Sequence, residues 1–148
     1  MKSSIIKIGF FGLVISFIAM NVTAQEKLIN RNELPKTAQK FISDYFKDQT
    51  PDYIIVDKKY FSTDYKLQFA DGTEIEFDGE GNWTEVDGNK NIIPTGYLQK
   101  NILNYVNEKF PNAKIIQVEK GKFKQEVKLS NGLELEFTSK GVFKRIED

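Results

Sequence analysis

The chain has 148 residues, 28% charged and 40% hydrophobic, with 10 Gly and 4 Pro, a composition that excludes a collagenous or low-complexity protein and fits one compact domain or two very small ones. Lys plus Arg equals Asp plus Glu at 21 each, so no basic excess recommends a nucleic-acid partner. Cys and His are both absent, which removes disulfides, thiol nucleophiles, thiolate and imidazole metal ligands, Ser-His-Asp triads and histidine acid-base chemistry together.

Residues 1–24 read as a secretory signal peptide. Lys2 and Lys7 form a positive start, Ile8 to Met20 is almost wholly apolar, and Val22 and Ala24 supply small residues before a cut after Ala24. The apolar run is short for a membrane anchor, and no Cys is available for lipid attachment. The mature product is expected to be soluble, mildly acidic, and secreted or periplasmic, with no membrane insertion after cleavage. Residues 25–33 form an N-terminal extension.

The remainder repeats itself. Unit 34–87 and unit 93–148 carry the same landmarks, mostly at an offset of 60: Gln39-Lys40 and Gln99-Lys100, Ile42 and Ile102, Tyr45 and Tyr105, Pro51 and Pro111. Asp71-Gly72-Thr73-Glu74-Ile75-Glu76-Phe77 answers Asn131-Gly132-Leu133-Glu134-Leu135-Glu136-Phe137, and Gly81-Asn82-Trp83 answers Gly141-Val142-Phe143. Residues 88–92 are a short polar linker.

Each unit opens with a helix. Leu34, Ala38, Phe41, Ile42, Tyr45 and Phe46 fall on one face at helical spacing, as do Leu98, Ile102, Tyr105 and Val106. Pro35 and Pro94 mark the expected helix starts. Strands follow, over Tyr53–Lys59, Tyr65–Phe69, Thr73–Phe77 and Asn82–Val86, and again over Lys114–Lys120, Gln125–Leu129, Leu133–Phe137 and Val142–Ile146. In the central hairpins a two-residue turn would put the apolar residues on opposite sheet faces. A three-residue loop with a left-handed Gly72 pairs Leu67 with Ile75 and Tyr65 with Phe77; Gly132 does the same for Val127 with Leu135 and Gln125 with Phe137. The fold expected is α+β: two tandem helix-plus-antiparallel-sheet repeats, each with its helix on one sheet face.

That register lays charge on the other face. Lys66 lies opposite Glu76, Lys128 opposite Glu134, and Glu126 opposite Glu136, a ladder read as solvated, with Lys124 and Lys128 screening the facing carboxylates. The run Asp78-Gly79-Glu80-Gly81-Asn82 opens like a calcium loop, but Trp83 replaces the required Gly and Asn89 the closing Glu, so a hairpin turn is expected instead. No nucleotide-binding or serine-hydrolase loop is present. No catalytic residue, metal ligand or cofactor is assigned. Aromatic side chains off the helix stripe, Tyr60, Phe61, Trp83 and Phe143, are candidate partner contacts.

The signal segment, the tandem units, the Gln-Lys helix landmarks and the repeated [DN]-G-x-E-[IL]-E-F finish resemble the secreted PepSY-like, beta-lactamase-inhibitor-like proteins of Bacteroidetes. The resemblance implies a continuous sheet whose exposed face and loops grip a partner protein, and, through PepSY relatives, control of extracellular peptidases. Together these readings predict an exported, non-catalytic module that binds or inhibits a protein, either a peptidase or another hydrolase, at the cell envelope. Tyr60, Phe61, Trp83 and Phe143 would give contact area, and Lys66, Glu76, Lys128 and Glu134 electrostatic register. The alternatives are a cation-binding envelope or stress protein and an enzyme built on Glu126 and Glu136.

Overall fold

A computed structural model describes residues 25–147; the signal peptide expected over residues 1–24 lies outside them. Nine antiparallel strands form one sheet in strict chain order, flanked by two helices. Strand β1 (Gln25–Leu28) and a 3-10 turn (Arg31–Glu33) precede helix α1 (Lys36–Tyr45), which is followed by β2 (Pro51–Lys58), β3 (Thr63–Phe69), β4 (Glu74–Phe77) and β5 (Trp83–Asp87). The second repeat runs α2 (Lys100–Lys109), β6 (Ile115–Lys120), β7 (Lys124–Leu129), β8 (Glu134–Thr138) and β9 (Phe143–Glu147).

The hairpin register is the one that side-chain parity demands. Tyr65 pairs with Phe77 and Leu67 with Ile75; Gln125 pairs with Phe137 and Val127 with Leu135. Gly72 and Gly132 adopt φ of 85° and 90°, the left-handed conformation needed at the third loop position. One face of the sheet therefore carries Leu67, Phe69, Ile75, Phe77, Val86, Val118, Val127, Leu129, Leu135 and Phe137, all buried in a single core beneath the helices. From α1, Phe41 meets Phe77 edge-on and Phe46 stacks on Phe69. From α2, Tyr105 meets Phe137 edge-on. Leaving the other side uncovered is what an antiparallel sheet permits and an all-parallel one does not.

One local expectation needs correction. The second helix begins at Lys100 rather than near Pro94, because Thr95 to Leu98 form a hydrogen-bonded turn (Leu98 N–H to the Thr95 carbonyl, 3.0 Å). That detour carries Tyr97 across to the first repeat, where its ring lies 4.9 Å from Phe41, 5.1 Å from Tyr45 and 5.2 Å from Trp83. The N-terminal extension also contributes a strand, β1, which pairs with β2 at the sheet edge. Its four residues alternate too weakly in hydropathy to signal this.

Candidate functional site

The side of the sheet away from the helices is uncovered, and its side chains follow from the strand pairing. Reading across the strands, Ile55, Lys66, Glu76, Glu85, Glu119, Glu126, Glu136 and Arg145 are successive cross-strand partners. Five consecutive glutamates thus stand side by side from β4 to β8. The neighbouring row adds Glu74, Asp87, Gln117, Lys128, Glu134 and Glu147. Carboxylates placed directly opposite one another repel, so this row destabilises the isolated sheet unless cations intervene.

Cations intervene at the two ends. On the first repeat, Lys66 reaches diagonally to Glu74 at 2.5 Å and only to 3.8 Å from Glu76, its expected partner across the strand. On the second repeat, Lys128 meets Glu134 at 2.8 Å and Lys124 meets Glu126. Glu136 departs from the expected solvated ladder: it is 1% exposed, held between Lys144 and Arg145, with the Arg145 contact at 2.6 Å. Both cations come from one stretch of β9 because a bulge opposite Glu136 and Phe137 turns Lys144 and Arg145 to the same face. The Lys144 ammonium outweighs burial and, with Arg145, holds the Glu136 carboxyl below the usual carboxylate range. Both Glu136 oxygens are thus taken up by cations, an ion-pair clamp rather than the free carboxyl facing Glu126 that an acid-base couple would use.

The centre of the row is uncompensated. Glu85 accepts a 2.6 Å hydrogen bond from Gln117, but burial pushes its pKa up, and Glu76, Glu119 and Asp87 add to the rise. Beside it lies a groove of about 530 Å³ lined by Glu26, Asp57, Lys59, Lys66, Glu76 and Glu119. Asp57 turns one oxygen to Lys59 at 3.3 Å, while its buried Oδ1 has no hydrogen-bond partner among the described residues. Sequence reasoning missed Glu85 and Glu119, because the pairing of β5 with β6 joins the two repeats and no turn residue announces its register.

The eight candidate contact residues fall into three places. Lys66, Glu76, Lys128 and Glu134 lie on the open face. Trp83 and Phe143, which open β5 and β9, pack inward: Trp83 against Phe41 and Tyr97, Phe143 flat on Tyr105 at 4.3 Å. The Lys120 ammonium caps the outer side of Trp83, 4.3 Å from the ring centroid. Tyr60 and Phe61 form the tip of the β2–β3 hairpin, 88% and 94% exposed, and touch each other edge-on at 4.6 Å. The Asp78–Asn82 segment is a hairpin turn: although burial raises the Asp78 carboxyl, hydrogen bonds from Asn82 and from the Glu80 and Gly81 backbone prevail and lower it.

Residues 63–145, more than half of the chain, match the family described as "Putative beta-lactamase-inhibitor-like, PepSY-like". The chain belongs to this PepSY-like family. Solved structures agree. A "putative calcium-regulated periplasmic protein" of Bacteroides thetaiotaomicron superposes with a TM-score of 0.80 at 33% identity, over 83% of this chain and 97% of that one. Two proteins of Bacteroides vulgatus, each described as a "putative periplasmic protein", give 0.80 at 35% identity (84% and 98% covered) and 0.77 at 30% (83% and 99%). Among curated proteins none matches. The PepSY-like chain is thus a secreted or periplasmic, non-catalytic protein with an α+β fold. Among its described residues no helix is long and apolar enough to cross a membrane.

Proposed function

We propose that this PepSY-like protein is a binding module whose open sheet face takes a protein or peptide presenting basic side chains. The observation that supports this reading is the in-register row Glu76, Glu85, Glu119 and Glu126, whose centre lacks ion-pair partners among the described residues. A basic segment laid across the strands relieves that repulsion, and the groove beside Glu119 has room for side chains of the partner. Lys66, Glu76, Lys128 and Glu134 fix the register of the complex. Inhibition of a hydrolase, which family resemblance suggests, is one consequence of such binding. The test is affinity capture from the envelope fraction with the wild type and with Glu76→Lys/Glu119→Lys. A partner held by the wild type and lost by the variant supports the reading; equal capture by both refutes it.

A second reading rests on the carboxylates of Glu126, Glu136 and Glu147, whose oxygens lie within 4.8 Å of one another, and on the relative described as calcium-regulated. Lys124, Lys144 and Arg145 already engage these groups, which favours the protein partner. Melting curves with calcium and with chelator separate the two: a calcium-dependent rise supports the cation site, and superimposable curves dispose of it.

A further inference from the structure

Apart from the open face, exposed apolar side chains gather at one end of the sheet. Because the strands run antiparallel in chain order, the β2–β3, β4–β5, β6–β7 and β8–β9 turns all project from the same end, the β4–β5 turn carrying Asp78 and Glu80 and the other three the apolar side chains. Of these three, the first bears Tyr60 and Phe61, the second Phe123 at 76% exposure, and the third Val142. Phe123 and the third turn are neighbours, joined by the Ser139 N–H to the Phe123 carbonyl at 3.1 Å. Lysines accompany the three apolar turns and outnumber the two acidic residues of the fourth: Lys58, Lys122 and Lys140 are exposed and form no ion pair among the described residues. Lys122 instead lies 5.3 Å from the Phe123 ring centroid. Water-facing aromatics beside unpaired lysines are what an anionic lipid interface stabilises, since rings enter the headgroup layer while ammonium groups remain among the phosphates.

We infer that this end of the sheet docks peripherally on an anionic phospholipid bilayer, with Tyr60 and Phe61 as the principal anchor and Phe123 as a second one. This goes beyond the protein-binding reading and uses different residues: the open face stays free to take its partner while the tips rest on the membrane. The tips rest in the interface without crossing it, and affinity from two short tips is reversible.

The experiment is co-sedimentation of the chain starting at Gln25 with vesicles of phosphatidylcholine alone or with about one-third phosphatidylglycerol, at low and at physiological salt. Expected are at least tenfold stronger partition onto the anionic vesicles, weakening as salt rises, and a loss of roughly fivefold for each of Lys58→Gln and Lys122→Gln. Tyr60→Ala/Phe61→Ala should lose most of the binding with an unchanged melting temperature. Equal partition onto both vesicle types, or wild-type binding by Tyr60→Ala/Phe61→Ala, overturns the inference. So does absence of lipid binding together with loss of a captured envelope protein by the same variant, which would make the tip a protein contact. Glu76→Lys/Glu119→Lys should still bind vesicles, so failure of the open-face reading and failure of this one are separable.

Discussion

Glu85 and Glu119 face each other across the seam where the two repeats join, paired in register on β5 and β6, with no ion-pair partner for either among the described residues. A seam between two copies of a unit is under no obligation to place like charges together, and directly opposed carboxylates weaken a sheet by some tenths of a kcal/mol to about 1 kcal/mol. Their place at the centre of an uncovered face is the physical basis for the proposal that this face takes a cationic partner.

Glu85→Gln should therefore stabilise the free protein near neutral pH, by about 0.2–1 kcal/mol, while keeping the oxygen that accepts from Gln117. The sign follows from the raised pKa. A carboxyl that binds its proton more tightly when folded favours the fold below its unfolded value near 4.5, and that contribution disappears as pH rises through the raised folded value. Thermal melts from pH 4 to 8 should show the gain growing with pH; a gain constant with pH contradicts carboxylate repulsion as its cause.

Glu136 has the opposite sign. Its lowered pKa, due to Lys144 and Arg145, contributes stability above about 4.5 that is lost as pH falls through the depressed value. The acid limb of the melting profile should flatten in Glu136→Gln, and an unaltered limb would show that the clamp does not persist in solution.

Four turn glycines have positive φ, but two of them are also wedged. A Cβ on Gly81 would lie 2.7 Å from the Pro35 Cβ and 2.9 Å from the Ala38 nitrogen, and one on Gly141 would lie 2.5 Å from Gln99 Oε1, whereas at Gly132 nothing comes within 4 Å. Gly132→Ala should cost about 1 kcal/mol, from backbone conformation alone. Gly81→Ala should cost at least twice that, because the start of α1 has to move. Equal losses in denaturant titrations would mean that the helix yields freely.

The aromatics divide in the same way. Trp83→Ala or Phe143→Ala should destabilise by about 1.5–3 kcal/mol, since each ring packs on a helix and is only half-buried. Tyr60→Ala/Phe61→Ala should leave the denaturation midpoint nearly unchanged. A large loss from the tip variant would show that these rings support the fold.

Much of this architecture was legible in the amino-acid order because local parity leaves little choice. Alternation in Tyr65–Phe69 and Thr73–Phe77 excludes a two-residue turn, and the second repeat repeats the constraint with different residues. Gln39 and Gln99 mark equivalent places, yet their partners differ: the Gln39 amide donates to the Leu34 carbonyl, and the Gln99 amide to that of Ser139. Non-local features escaped. The pairing of Glu85 with Glu119 depends on how the repeats meet, and the burial of Glu136 depends on a bulge that brings Lys144 and Arg145 together. Neither leaves a periodic trace. Tyr97 was equally silent, since its partners belong to the other repeat.

The role of the open face is tested most directly by a backbone-amide NMR titration of the chain starting at Gln25 with a lysine-rich peptide and, separately, a glutamate-rich one. Saturable shifts confined to β4–β8 around Glu76, Glu85, Glu119 and Glu126, produced by the lysine peptide alone and abolished by Glu76→Lys/Glu119→Lys, are the predicted result. Shifts centred on the exposed surfaces of α1 and α2, or equal responses to both peptides, would contradict it.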